Sequence, residues 1–259
     1  MKNKSVKKIL KAVAPYGAVV LYQRRKLRNT FNYCPICDKE SQFSPASSAG
    51  VRTRPNAVCS NCGSLERHRL TWLLVERVIG IKNINKKKTM LHVAPEASLR
   101  HKFTKLLSKN YLSADMYEKD VDVKMDITDI KYPDSSFDFV IANHVLEHVS
   151  DDLKAMKELY RVQKKNGWSI LLAPIAKLAK TYEDSTITTK RGRLEAFGQA
   201  DHVRKYGSDY KDRLMSAGFK VKVYSLKDLA SKKEIKKMSL KEVGDLGDFT
   251  QSEIYFCTK

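Results

Sequence analysis

The stretch Phe137–Pro174, FDFVIANHVLEHVSDDLKAMKELYRVQKKNGWSILLAP, decides the fold of this chain. Phe137 to Ala142 is an apolar segment rich in β-branched and aromatic residues, short enough for a strand buried on both faces. It ends abruptly in the polar residues Asn143 and His144, and in an open α/β sheet ligands sit outside such carboxyl ends. From Asp151 to Gln163 the apolar residues Leu153, Met156, Leu159, Tyr160 and Val162 recur mostly three or four apart, which predicts one inward helix face. Asn166-Gly167 is the expected helix stop, and Trp168 to Ala173 the next buried strand. Strand, helix and strand in this order form a parallel βαβ unit.

The same alternation extends upstream. Thr89 to Ala94 (TMLHVA) reads as a buried strand, followed by Pro95-Glu96 and a helix through His101, Phe103, Leu106 and Leu107. Asn110 to Ala114 is a short strand ending in Asp115. A carboxylate there, about 20 residues after the first strand, is placed to hold ribose hydroxyls. Val121 to Met125 makes a third strand, closed by Asp126. Downstream, Asp209 to Gly218 predicts a helix with Leu214 and Met215 facing inward. Lys220 to Ser225 and Glu253 to Cys257 predict two late strands, with Cys257 a packed core thiol.

Ahead of this alternation lie Cys34-Pro35-Ile36-Cys37 and Cys59-Ser60-Asn61-Cys62, two C-x2-C pairs with 21 residues between them. Two tight turns can present four thiolates to one tetrahedral zinc ion at this spacing. Pairing within either C-x2-C as a disulfide would close a strained small ring. With cysteine at all four positions no coordination site is left for water, so the expected role is structural.

Together these motifs carry a resemblance. The chain resembles the S-adenosylmethionine (SAM)-dependent methyltransferases, and within them a subset with an amino-terminal cysteine module, an LHVAPE first loop (Leu91–Glu96) and a late FGQADHVRKYG segment (Phe197–Gly207). The resemblance spans roughly residues 31–259. It implies an α/β fold, a doubly wound, seven-stranded, mostly parallel Rossmann-like sheet, beside a small zinc-ribbon-like module. The expected organisation is a basic segment at 1–30, the cysteine module plus a helix at 31–80, and the methyltransferase domain at 81–259. It also implies SAM contacts from Ala94, Pro95 and Glu96 in the first loop, Asp115 and Met116 at the ribose, Asp126 and Ile127 at the adenine, and Asn143 on the central strand. In these enzymes the first loop is glycine-rich, whereas here it reads Ala94-Pro95-Glu96-Ala97-Ser98. Glu96 is expected to face the ammonium of SAM from a helix start, or else to cap that helix.

His144-Val145-Leu146-Glu147-His148 resembles the Glu-x-x-Glu-His element of metal-dependent O-methyltransferases, with His144 in place of the first glutamate. The resemblance implies a second divalent ion, held by His144, Glu147, His148 and the later His202. Imidazoles with a carboxylate suit zinc, manganese or iron. Without a metal, His144 or His202 is the expected general base. The competing reading makes Glu147 and His148 helix-start and packing residues. Gln199, Asp201, His202, Arg204 and Tyr206 are dense in hydrogen-bonding types and suggest a substrate site, with Arg204 on a phosphate or carboxylate and Tyr206 stacked on a sugar. The competing reading is a self-satisfied ion-paired loop.

The chain of 259 residues, 42% hydrophobic, is long enough for one α/β core and a small metal-stabilised module. No apolar run reaches the roughly 20 residues of a membrane span, and a cytoplasmic location is expected. The net charge is +20, and residues 1–30 hold nine Lys or Arg and no acid. Val6, Ile9, Leu10 and Val13 share one helical face amid lysines, a pattern suited to the anionic inner face of a membrane; nucleic acid would be drawn by the same charge. The expected activity is methyl transfer from SAM to an acceptor hydroxyl. Because the resembling proteins are associated with bacterial polysaccharide genes, the expected acceptor is a glycan or lipid-linked sugar. RNA is the alternative acceptor, and a catalytically silent SAM-fold adaptor the alternative of another class. Asn143 is followed by His-Val-Leu and not by Pro-Pro-Tyr, which disfavours exocyclic amines.

Overall fold

The computed structural model describes residues 31–46, 54–240, 249–250 and 253–259. The basic segment 1–30, with its expected membrane or nucleic-acid contact, lies outside the described residues. Among the described residues no helix is long and apolar enough to cross a membrane.

Strands β1 (Phe31–Cys34), β2 (Lys39–Ala46) and β3 (Arg54–Cys59) form a three-stranded antiparallel sheet. Each C-x2-C pair closes a tight turn, with Asp38 N donating to Cys34 O and Gly63 N to Cys59 O, both at 2.8 Å. Helix α1 (Glu66–Arg77) leads into β4 (Met90–Val93), α2 (Ala97–Leu107), β5 (Tyr111–Asp115), β6 (Val123–Lys124), β7 (Phe137–Asn143), α3 (Asp152–Val162) and β8 (Gln163–Leu172). The chain then makes β9 (Ile175–Ala176), β10 (Tyr182–Glu183), α4 (Lys190–Phe197), β11 (Arg204–Lys205), α5 (Tyr210–Ser216), β12 (Lys220–Ser225), α6 (Leu226–Leu229), α7 (Lys232–Lys237), β13 (Phe249–Thr250) and β14 (Glu253–Thr258).

The main sheet has seven strands in the order β12-β14-β8-β7-β4-β5-β6. β14 alone runs opposite to the other six strands. This is the doubly wound, mostly parallel sheet of the Rossmann-like methyltransferase fold. The strand order reverses at β4, which lies between β5 and β7, so a ligand crevice is expected outside their carboxyl ends. Register sets Val93 level with both Ala114 and Ala142. Ala94, Asp115 and Asn143 therefore share one edge.

Alternation along β4 builds two cores, because successive side chains point to opposite faces. Met90 joins a cluster with Phe103, Phe139 and Trp168. Leu91 and Val93 join one with Met156, Leu159 and Tyr210. The first cluster also contains Cys34, Ile36 and Phe43 of the cysteine module and Trp72 and Leu73 of α1. The module thus has no separate core, and α1 is the layer it shares with the sheet. Arg69 of α1 is fully buried over the Phe43 ring and donates to the carbonyls of Ala57, Ser64, Met238 and Ser239.

Several local expectations are corrected. Helix α3 is capped by Asp151, whose side chain accepts from Lys154 N at 2.9 Å, but it ends at Val162 with no stop at Asn166-Gly167. Strand β8 begins at once, because buried Gln163 satisfies itself within the strand on Gly167 O and Ser169. Gly167 instead permits a close approach: a Cβ there would lie 2.3 Å from Asp138 O, at the register shift against β7. Leu153 is exposed because the inward position of that turn is held by Asp152, neutralised by Arg213 and Tyr206. Met215 is also exposed, since α5 presents Tyr210 and Leu214 to the core. Strand β6 is only two residues long because the Asp122 carboxylate takes the Ser113 N–H and hydroxyl that a longer ladder would face.

Candidate active site

In the cysteine module the thiols of Cys34 and Cys62 lie 3.6 Å apart and those of Cys37 and Cys59 3.8 Å apart. Four sulfurs at about 2.3 Å from one tetrahedral ion are about 3.8 Å from each other, whereas a disulfide needs about 2 Å. The donor set therefore fits zinc, and all five cysteines are free. The hydrogen bond between Cys34 and Cys62 lowers the Cys34 thiol and raises that of Cys62, so the two sulfurs share a proton that a metal would displace.

On the crevice edge of the main sheet, two adjacent strand ends turn through left-handed backbone at residues other than glycine, Ala94 at φ 46° and His144 at φ 55°. Such strain clusters at functional sites. Tertiary hydrogen bonds hold both turns, Ala94 N to Ala114 O and His144 N to Leu172 O at 2.8 Å. Ala94 thus makes the turn a glycine would usually make.

Glu96 is the centre of the edge. Its carboxylate does not cap α2 through a side-chain hydrogen bond. Oε2 lies 3.0 Å from Nε2 of fully buried His92, Oε1 accepts from Asn143 Nδ2 at 3.0 Å, and His68 Nε2 approaches Oε1 to 3.7 Å. The other nitrogen of His92 bonds Tyr111 Oη at 3.0 Å. Burial alone would raise the Glu96 carboxyl, but the His92 hydrogen bond and charge, His68 and Asn143 outweigh it and hold the group at about 2. Burial also drives His68 down to about 3, leaving it neutral.

Beside this group stands Glu147, almost wholly buried, with Oε1 3.1 Å from His144 Nδ1 and Oε2 without a partner. Burial pushes its carboxyl up, while the His144 hydrogen bond and charge bring it below its ordinary value. Glu147, His148 and His202 each offer a ligand atom within 4.8 Å of the others. His144 is outside that group and serves as the hydrogen-bond partner of Glu147. His202 is buried, packs edge-on against the His148 ring with centroids 4.7 Å apart, and has an unpartnered Nδ1. Burial lowers its pKa and keeps it a neutral base. Exposed His148 contacts Asp201 through Nδ1, 3.3 Å from the carbonyl and 3.4 Å from the carboxylate.

A cavity of about 660 Å³ adjoins the edge, lined by Ala94, Pro95, Arg100, His101, Asp115 and Glu118 among others. Asp115 Oδ1 accepts from Tyr117 N and Glu118 N, which turns the chain around the cavity mouth. Met116 is half exposed at this turn. Asp126, in contrast, spends Oδ1 on Thr128 N and Oγ1 in a local turn. Ile127 is packed into the core with Met125 and Ile130, which corrects its expected place on an adenine face.

Residues 70–171 match the family model of a methyltransferase domain. Among solved structures, the chain is similar to a SAM-dependent methyltransferase from Archaeoglobus fulgidus (15% identity, 74% of this chain and 94% of that one, TM-score 0.43). It is also similar to one from Mesorhizobium loti (14% identity, 66% and 91%, TM-score 0.47). A third is a phosphoethanolamine N-methyltransferase from Haemonchus contortus, solved with phosphomonomethylethanolamine and S-adenosylhomocysteine (13% identity, 74% and 53%, TM-score 0.47). No curated protein matches.

The methyltransferase-domain match begins inside α1, the helix expected to belong to the cysteine module. Two residues of the late segment are also corrected. Arg204 is 3% exposed and donates to the carbonyls of Leu146, Val149 and Ser150 and to Glu183 Oε2, so it is a strut for the loop carrying Glu147 and His148. Tyr206 is fully buried, its hydroxyl on Asp152 Oδ2 at 2.7 Å and Leu146 O at 3.2 Å, so no sugar can stack on it. Gln199 and Asp201 are exposed. Sequence reasoning missed Arg67 and His68, which α1 brings to the edge, and the role of His92 as anchor of Glu96. A polar residue within the apolar run Met90–Val93 was the available signal for His92, since a buried imidazole needs partners.

Proposed function

We propose that the chain is a SAM-dependent methyltransferase acting on an acceptor hydroxyl of a glycan or lipid-linked sugar. The observation that carries this reading is the concentration of unsatisfied buried polarity at one sheet edge. Five of the ten buried side-chain nitrogen and oxygen atoms without a hydrogen-bond partner, counted over the described residues, belong to Arg67, His68, Asn143, Glu147 and His202. Orphaned buried polar atoms cost stability unless a ligand or water completes them. SAM, when bound, supplies an electrophilic methyl group on a sulfonium. Glu96 is ionised and stands at the sheet edge between Pro95 and Ala97, which line the cavity, fit for an ammonium group; Asp115 is fit for ribose hydroxyls. Neutral His202 takes the acceptor proton as the oxygen–carbon bond forms and the carbon–sulfur bond breaks, leaving S-adenosylhomocysteine and a methyl ether. The Glu147 carboxylate stabilises the imidazolium that results. With a zinc, manganese or iron ion on Glu147, His148 and His202, His202 would instead be a ligand, and the metal would supply Lewis acidity to the hydroxyl in place of the base.

The test is calorimetric titration of zinc-loaded protein with SAM, alongside Asp115→Ala, followed by labelled methyl donor with sugars and with RNA. Binding lost in the variant, then label in a sugar, is the expected result. Folded protein that binds no SAM at millimolar concentration would refute the enzyme reading in favour of an adaptor. RNA is a second acceptor reading, favoured by the net charge of +20; salt-sensitive labelling of RNA would select it.

A further inference from the structure

Three consecutive residues of α1 meet different fates. Arg69 spends its guanidinium on four main-chain carbonyls. His68 accepts from Leu65 N at Nδ1, 3.3 Å away, so its proton sits on Nε2, directed at Glu96 Oε1. Arg67 lies within electrostatic range of Glu96 and Glu147, yet among the described residues it makes no hydrogen bond or ion pair, and its Nε is buried without an acceptor. A guanidinium is a rigid fork of donors matched to a carboxylate. Here the fork shares the sheet edge with Glu96, an acid that suits only the positive half of a zwitterion.

The helix is held in place from the metal site. Ser64, two residues before its first turn, contacts Cys34 Sγ and Cys62 Sγ through its hydroxyl, each at 3.3 Å, and its carbonyl accepts from Cys59 N and Arg69 Nη1.

Resting on the methyltransferase reading, we infer that Arg67 binds the carboxylate of the amino-acid end of SAM, with Glu96 on its ammonium, so that the cysteine module builds part of the cofactor site. The unpartnered Arg67 Nε and His68 Nε2 then gain an acceptor. The ligand's opposite charges meet opposite charges of the protein, and the remainder of the ligand extends toward Asp115.

The experiment compares S-adenosylhomocysteine with 5′-methylthioadenosine, the same nucleoside thioether without the amino-acid end, by calorimetry on zinc-loaded wild type, Arg67→Met and Arg67→Lys. Arg67→Met should weaken S-adenosylhomocysteine by roughly 10- to 100-fold and leave methylthioadenosine unchanged. Arg67→Lys should fall between, since an ammonium keeps the charge and loses the fork. Unchanged S-adenosylhomocysteine affinity in Arg67→Met overturns the inference, as does equal weakening of both ligands. Wild type that binds neither nucleoside overturns the methyltransferase reading itself.

Discussion

Replacing Arg204 by methionine separates a strut from a substrate ligand. Methionine preserves much of the apolar stem and leaves no large void, so the loss is electrostatic. Tyr206 still serves Leu146 O at 3.2 Å, and Asp152 keeps Tyr206 and Arg213. The groups left unserved are the carbonyls of Val149 and Ser150, together with the Glu183 pairing at 2.9 Å. A buried carbonyl deprived of its donor costs about 1–3 kcal/mol, and Ser150 is exposed enough for water to replace part of it. The sum is about 2–4 kcal/mol, a large share of a typical folding free energy. Urea unfolding followed by circular dichroism should show the midpoint falling at constant slope. A loss below about 1 kcal/mol combined with abolished acceptor binding would refute the strut and restore Arg204 as a substrate residue.

Glu96, held at about 2 against an ordinary 4.5, contributes stability that is fully present above pH 4.5 and lost as pH falls toward 2. The linkage is on the order of 3 kcal/mol. Wild type should therefore lose stability more steeply than Glu96→Gln between about pH 5 and 3, and parallel slopes would show that Glu96 is not ionised in the folded state. One zinc per chain should be found by atomic absorption, and chelation should lower a single calorimetric transition, because module and sheet share a core. A separate, zinc-dependent transition for the module would contradict that shared packing.

The parallel core was readable because β4, β7 and β8 are runs of apolar residues too short for helices and punctuated by polar ends. The four-cysteine cluster was readable because metal-ligand geometry constrains spacing in sequence as well as in space. Less of the site was legible. Arg204 and Tyr206 look like surface chemistry in one dimension. Their partners are main-chain carbonyls and an acid more than 50 residues away, which no local pattern records. Leu153 and Met215 kept the helical period but not the burial, since the acid Asp152 is bought into the core by two distant neighbours. Arg67 and His68 were invisible for a related reason, as the acid they approach, Glu96, belongs to a different element of the fold.

Every hydrogen bond of Arg69 goes to a carbonyl oxygen, and every residue type carries one. Positions 57, 238 and 239 offer Arg69 only backbone, whereas Ser64 also lends its hydroxyl to the cysteine cluster, and position 69 cannot change even to lysine, which lacks the fork. The hydrogen-bonded part of the union between cysteine module and sheet is thus recorded asymmetrically, in one guanidinium on one side and in backbone carbonyls on the other, while the apolar part is shared by side chains of both. A module grafted from a relative would dock onto this sheet only if it brought that arginine together with the apolar residues, Ile36 and Phe43 among them, that complete the shared core.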